Sequence, residues 1–493
     1  MEITSKTYLS QKIYNDTAEM FRKAGYTVKV FNLVNPAHSD SWNCMANLDG
    51  DTMMAQVLTD VIIKNTAKGK GDPFWDNGEA NLLKSLILYV DNHDGFSGKR
   101  NLAKVYQLLT THDYAQLKAL LGPLGDEHVA KAPWNLFAQA SETVRTGIIS
   151  GLGTRLQILQ GKEIKNIISR NDIDLTLPGK EKCVYYVILS DQESSTECLS
   201  SLFFSSLFIK LTRYADGTPD GRCKVPVNVI FDEFNNVGTL DSYPRRLSVM
   251  RSRGIQACHI IQSLAQFKNR YPDDQWAEIM GNADTQLMLG CTEEQSAEYF
   301  SMRSGEMTIM VNSTMVNRQT LAVAQMIPQY RDSEGQGKRR LLTKDEVLRL
   351  PNEELLIILR GQNVLKANKF DYTNHPYAKK MKRTSIFDYT AKVTPLPEDE
   401  PPDHHSTPED DFPESNSTLK NTSPENHGMP KNELLEKRNM QANDHAQESV
   451  KPQKVQKKQL SKTKVKNDAQ VSFEDNLKDN ETIWESDKPP SDF

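Results

Sequence analysis

Residues 226–263 read PVNVIFDEFNNVGTLDSYPRRLSVMRSRGIQACHIIQS, and the fold turns on this stretch. A first apolar run, Val227-Asn228-Val229-Ile230-Phe231, stops at Asp232-Glu233. A second run, 255–261, stops at Gln262-Ser263. Short apolar runs bounded by turn signals read as buried strands. An apolar strand that delivers adjacent acids at its carboxyl end is how a nucleoside triphosphatase holds Mg²⁺ and polarises a water. The first acid reaches the metal and the second acts as general base. Polar groups at the ends of neighbouring strands also suit the ligand crevice of an open α/β sheet. Between the runs, Arg251-Ser252-Arg253-Gly254 sets two cations before a tight turn. Such arginines can offset charge on a transferring phosphate, often that of a neighbouring subunit. An Asp-Glu pair alone also ends ordinary strands as solvated acids; the combination carries the reading.

Working outward, 493 residues allow two or three domains. A hydrophobic share of 38% is low for one compact globule, so a sizeable part of the chain is expected to stay polar and unburied. With a net charge of -5, nucleic acid would be met by a local patch and not by a global field. The six cysteines are scattered without a Cys-x-x-Cys pair, and read as small buried hydrophobes of a reducing compartment. The ten histidines show no metal-enzyme spacing. No apolar run approaches the roughly 18–20 residues that span a bilayer. The nearest, 199–211, is broken by serines and a lysine and reads as a buried helix.

The signature Asp-Glu-Phe-x-Asn-x-Gly at 232–238, the Arg-x-x-Gly turn at 251–254 and the Ile-Gln-Ser strand end at 261–263 occur here in order. With NADTQLMLGCTEEQSAEYFSMRSGEMT at 282–308, they resemble the type IV coupling proteins of the TraG/TraD class, the DNA-pumping ATPases of conjugation. The resemblance covers most of residues 1–380. It implies a RecA-like P-loop NTPase sheet with an inserted all-α domain. It also implies ATP and Mg²⁺ as cofactors, a homo-hexamer at the cytoplasmic face of the cell membrane, and partners in single-stranded DNA, a relaxase and the type IV secretion channel. Carried over residue by residue, Asp232 would hold Mg²⁺ and Glu233 would deprotonate water. Gln262 would sense the γ-phosphate. Arg251 would be the trans-acting finger, with Arg253 behind it.

In chain order, 12–25 reads as an amphipathic helix stopped by Gly25, and 27–33 as a strand. Helical spacing dominates about 50–170, with Lys64, Lys68 and Lys70 flanking the block as either a DNA contact or a solvated loop. CVYYVIL at 183–189 reads as a buried strand ending in Ser190-Asp191, and 199–214 as its covering helix. Further strands are expected at 286–290 and 355–359, with a Met-, Ser- and Thr-rich lid at 305–333 and a capping box at Thr343 and Glu346. Alternating strands and helices argue for a mainly parallel, doubly wound sheet. From about Thr390 aromatics nearly vanish and Pro, Glu, Asp, Asn, Gln and Lys dominate, as in a disordered tail that solubilises or docks. The expected domains are 1–65, the start of the nucleotide-binding domain; 66–178, the all-α insert; 179–385, the remainder of the motor; and 386–493, the tail.

A nucleotide motor also needs Gly-x-x-x-x-Gly-Lys-Ser/Thr, whose amides cradle the phosphates. That motif occurs nowhere in this sequence. In the family it precedes an Asp-Pro-Lys-Gly-Glu strand end, of which Glu2 would be the last letter. The expectation is therefore a truncated coupling protein, lacking anchor and cradle, inactive alone, with its sheet incomplete beside residues 255–261. The rival readings are a non-catalytic interaction fragment, and a DNA translocase of another P-loop family, against which the helical insert argues.

Overall fold

The computed structural model describes residues 9–391, apart from 47, 68–71, 97, 191–193 and 318–328. Helix α1 (Leu9–Lys23) ends at Gly25, whose φ of 80° lets the chain turn into β1 (Thr27–Asn32). A helical block follows: α2 (Thr52–Thr66), α3 (Pro73–Asn92), α4 (Leu102–Thr111), α5 (Tyr114–Leu121), α6 (Lys131–Ala138), α7 (Glu142–Arg155) and α8 (Lys162–Ser169). Asp51, Asp72, Asn101 and Asp113 accept first-turn amides of α2, α3, α4 and α5, which fixes where these helices begin. Strand β2 (Cys183–Ile188) then leads through α9 (Glu197–Asp216) to β3 (Val227–Phe231). Beyond it lie α10 (Tyr243–Met250), β4 (Ile255–His259), α11 (Leu264–Arg270), α12 (Gln275–Gly281), β5 (Thr285–Met288) and α13 (Glu294–Arg303). The last elements are β6 (Glu306–Asn317), β7 (Gln329–Arg340), α14 (Lys344–Leu348), β8 (Glu354–Leu359) and β9 (Leu365–Asn368).

The strands form separate small sheets among the described residues. β1 pairs with β2 in parallel, Thr27 opposite Cys183 through Asn32 opposite Ile188. β3 pairs with β4 in parallel, Val227 opposite Ile255 through Phe231 opposite His259. β5, β8 and β9 make an antiparallel set, so β4 and β5 are not paired and the parallel character is confined to the first two pairs. The segment expected as a lid is instead largely an antiparallel hairpin, β6 with β7, whose tip (318–328) lies outside the described residues.

Serine-rich α9 is the axis of the core. Its residues 198–208 are all buried, with Phe203 stacked on Phe31 of β1 at 5.1 Å and Phe204 edge-on to Phe231 of β3 at 4.8 Å. One apolar cluster runs continuously from the helical block through α9 into β3 and β4. A second, smaller cluster joins Tyr14 and Ala18 of α1 to Val30, Tyr186 and Ile188, and takes in Ile386. The packed chain thus continues past residue 386, where the tail was expected to start. Lys68, Lys70, Asp191 and the tail beyond 391 fall outside the described residues.

Candidate functional site

The site is built where β3 and β4 end. Their pairing continues one step past the strands: Ile260 N–H donates to the Phe231 carbonyl at 2.9 Å, and Phe234 N–H to that of Ile260 at 3.0 Å. This carries Asp232 and Glu233 out beside Gln262. Gln262 Nε2 donates to Glu233 Oε1, and Asn236 Nδ2 donates to Glu233 Oε2 at 2.5 Å. Two amides therefore fix the carboxylate from both sides. Asp232 differs. Its Oδ2 is buried without a hydrogen-bond partner in the structure, and burial raises its pKa above the ordinary carboxylate value. A buried acid oxygen left unpartnered is costly, and a cation or a metal-bound water is the kind of group that would satisfy it.

The turn behind the acids is clamped by residues that sequence reasoning missed. Asn65 of α2 accepts Thr239 N–H at 2.6 Å and donates to the Thr239 carbonyl and to Ser201. Ser200 and Ser201 of α9 donate to the carbonyls of Val237 and Thr239. Gly238 has φ 86°, and a Cβ there would stand 2.8 Å from Asn65 Oδ1 and 2.9 Å from the Glu197 carbonyl, so both its conformation and its neighbours require glycine. Arg270 grips Glu197 with two nitrogens at 2.7 and 3.1 Å and donates to the Asn235 carbonyl. The signal was present in the serines that interrupt 199–211, which gave α9 hydroxyls on a buried face.

Beneath the turn Phe234 is fully buried, stacked on Tyr271 at 5.6 Å and edge-on to His259 at 4.7 Å. His259 Nε2 meets the Tyr243 hydroxyl at 2.6 Å, and burial lowers its pKa from 6.5 to about 4, so it is neutral. The two arginines are not bonded into this group. Arg251, 76% exposed at its side chain, pairs with Asp284 at 2.9 Å, and Asp284 also holds Arg360. Arg253 pairs with Asp216 at 2.8 Å and donates to the Val249 carbonyl. Gly254, with φ 75°, makes the turn into β4. No group of three or more His, Cys, Asp or Glu able to hold a metal, and no helix long and apolar enough to cross a membrane, occurs among the described residues.

The family model described as "Type IV secretory system Conjugative DNA transfer" matches residues 7–394. The chain belongs to that family. Within it, protein VirD4 of Rhizobium radiobacter is 24% identical over 341 residues, 68% of this chain and 46% of the relative. VirD4 of Agrobacterium fabrum is 24% identical over 338 residues, 68% of this chain and 47% of its own. The chain thus spans about half the length of the curated relatives it matches. Among solved structures, the unbound conjugative coupling protein TrwBdeltaN70 aligns with a TM-score of 0.54 at 12% identity, over 73% of this chain and 76% of that one. TrwB in complex with ADP and Mg²⁺ aligns at 0.52 and 13%, over 75% and 78%. These likenesses show the fold: a RecA-like NTPase architecture with a helical domain. The chain is a member of the type IV coupling-protein class.

Proposed function

We propose that this coupling-protein chain carries the hydrolytic half of an ATP-driven motor, one that passes DNA to a secretion channel as a hexamer at the membrane's cytoplasmic face. The observation that supports the reading most is the asymmetry of the acid pair. Asp232 has a buried, unpartnered oxygen, while the adjacent Glu233 is held between Gln262 and Asn236. In this reading Asp232 takes the Mg²⁺, whose charge offsets that of the phosphates when bound. Glu233 accepts a proton from water. Gln262, bonded directly to Glu233, makes the position of that base depend on what lies at the end of β4. Arg251 is the finger offered to a neighbouring subunit, since its side chain is 76% exposed and its ion pair, with Asp284, is a surface one. Relaxase-bound single-stranded DNA is the proposed cargo. The related TrwB structures hold GTP and ATP analogues, and ADP with Mg²⁺.

The test is a mating assay in donor cells whose only copy of the gene carries Glu233→Gln, a change that keeps the side chain's shape and an acceptor for Asn236. Transfer should fall by a factor of about 100 or more, the scale on which general bases act. Transfer at the parental frequency would overturn the catalytic reading and leave a non-catalytic docking role. The sequence feature that favours that second role is the lack of a Gly-x-x-x-x-Gly-Lys-Ser/Thr cradle within these residues.

A further inference from the structure

Residues 369–383 read KFDYTNHPYAKKMKR and form a strap between two anchored points. At its start Lys369 N–H donates to the Glu353 carbonyl at 2.6 Å, next to β8. Just past its end Thr384 N–H donates to the Asn15 carbonyl of α1 at 2.8 Å. Between these points the chain folds on itself in two 3₁₀ turns, Tyr372–Asn374 and Pro376–Lys380. Asp371 accepts Thr373 N–H at 2.9 Å, and His375 Nδ1 accepts Tyr377 N–H at 3.2 Å. Pro376 fixes φ at the entry to the second turn. Local bonds thus give the strap a defined shape.

Its outward side chains are of two kinds. Phe370, Tyr372 and Tyr377 are 68%, 54% and 58% exposed. Beside them stand Lys369, Lys379, Lys380, Lys382 and Arg383, against the single acid Asp371, in a chain whose net charge is -5. Among the described residues Arg383 is the one cation of this stretch with an ion pair, to Asp16 at 3.0 Å. Water solvates the ammoniums but not the rings. A surface that presents phosphates above hydrocarbon satisfies both. Nucleic acid also offers phosphates, but a platform for its bases needs free ring faces. Here Tyr377 has His375 stacked on it at 5.4 Å and Lys380 Nζ over its ring at 4.7 Å, and Phe370 stands edge-on to His375 at 6.5 Å. Rings already engaged in this way favour wedging among lipid headgroups over stacking of bases. We propose that residues 369–383 are a peripheral membrane contact that binds anionic phospholipid, the rings entering the headgroup layer and the lysines pairing with lipid phosphates. The long lysine stems let the ammoniums stay at phosphate level while the rings sit deeper. This deepens the membrane placement given above and rests on it, while it needs no hydrolysis.

Sedimentation of the full chain with vesicles tests it, using phosphatidylcholine alone and the same lipid with about one third phosphatidylglycerol. The chain should bind the anionic vesicles, less so as salt shortens the screening length, and the neutral ones little. Lys379→Gln, Lys380→Gln and Lys382→Gln together should weaken that binding about 100-fold, at roughly fivefold for each lysine. Their Tm should not change, because all three side chains are exposed. Phe370→Ser with Tyr372→Ser should weaken it about tenfold at the same vesicle charge. A parent chain that ignores anionic vesicles would overturn the proposal, as would a triple-lysine variant that binds them fully. A triple variant that loses a single-stranded oligonucleotide but keeps the vesicles would assign the strap to nucleic acid and also overturn it. Cell fractionation separates this from the placement itself. If parent and triple variant are recovered equally with the membrane while neither binds vesicles, the placement stands and the strap proposal falls.

Discussion

His259 and Asp232 stand on one pair of strands and answer burial in opposite directions. Burial holds the His259 pKa near 4, below its ordinary 6.5, because the neutral ring is the form that packs against Phe234 and Phe231. Its contribution to stability is therefore complete above about 6.5 and is lost as pH falls toward about 4. Melting curves across that window should show a falling Tm, and His259→Phe should flatten that limb; an equally steep limb in the variant would refute the assignment. For Asp232 the folded pKa is raised, so the native state is penalised above that value and relieved once pH drops below the ordinary 3.8. Asp232→Asn should therefore raise Tm near neutral pH by about 1–2 °C, with no gain in acid; a lower Tm at neutral pH would count against the unpartnered oxygen. At this scale the acid pair and Gln262 were legible, since a strand end announces itself by an apolar run meeting polar residues. The serines that interrupt 199–211 were visible, but what they hold, like the role of Asn65, was not, because a side chain's bond to a distant turn leaves no local pattern.

The turn from Phe234 to Gly238 shows why an element can depend on residues far from it in sequence. Asn65 makes three bonds that join α2, α9 and Thr239, and Gly238 occupies a φ of 86° against the Asn65 side chain. Asn65→Ala removes the acceptor of the Thr239 N–H, while the Thr239 carbonyl keeps Ser201, so the cost is about 1–3 kcal/mol for the one group left unmade. Gly238→Ala adds backbone strain of about 1–3 kcal/mol to a contact that must give. Both should lower the urea midpoint, and the double variant should lose less than the sum, because the two share one clamp. Strict additivity would show that they act separately. The elements that packing makes periodic, α1, β2, α9, β3 and β4, were readable in advance. The hairpin was not. None of the described side chains of β6 and β7 is buried, so no alternation of apolar and polar residues marks them, and a Met- and Ser-rich stretch reads as loop.

For the whole molecule, residues 384–389 fold back onto α1. Ile386 is 1% exposed in the α1 cluster, Asn15 holds the backbone of Thr384 and Ile386, and the Tyr389 hydroxyl donates to Asp40. Composition alone located the loss of aromatics near Thr390 but could not show that the last aromatics before it close over α1. Ending the chain after Thr390 should leave Tm nearly unchanged, whereas ending it after Arg383 should lower Tm by about 5 °C or more, as expected for stripping a buried isoleucine from its cluster. Equal Tm values would show that the clamp contributes nothing. The same whole-molecule view bears on catalysis. Strands β3 and β4 bring Glu233 and its partner amides to one point, and the sequence holds no Gly-x-x-x-x-Gly-Lys-Ser/Thr loop. Positioning of reactants can supply about 7–11 kcal/mol of a barrier, and donors aimed at developing charge supply a further large share. In the function proposed above, Glu233 acts on a triphosphate held by such a loop. The purified chain should therefore hydrolyse ATP at a rate indistinguishable from buffer, and Glu233→Gln should change nothing measurable in that assay. Robust turnover that Glu233→Gln abolishes would mean that other residues of this chain cradle the phosphates.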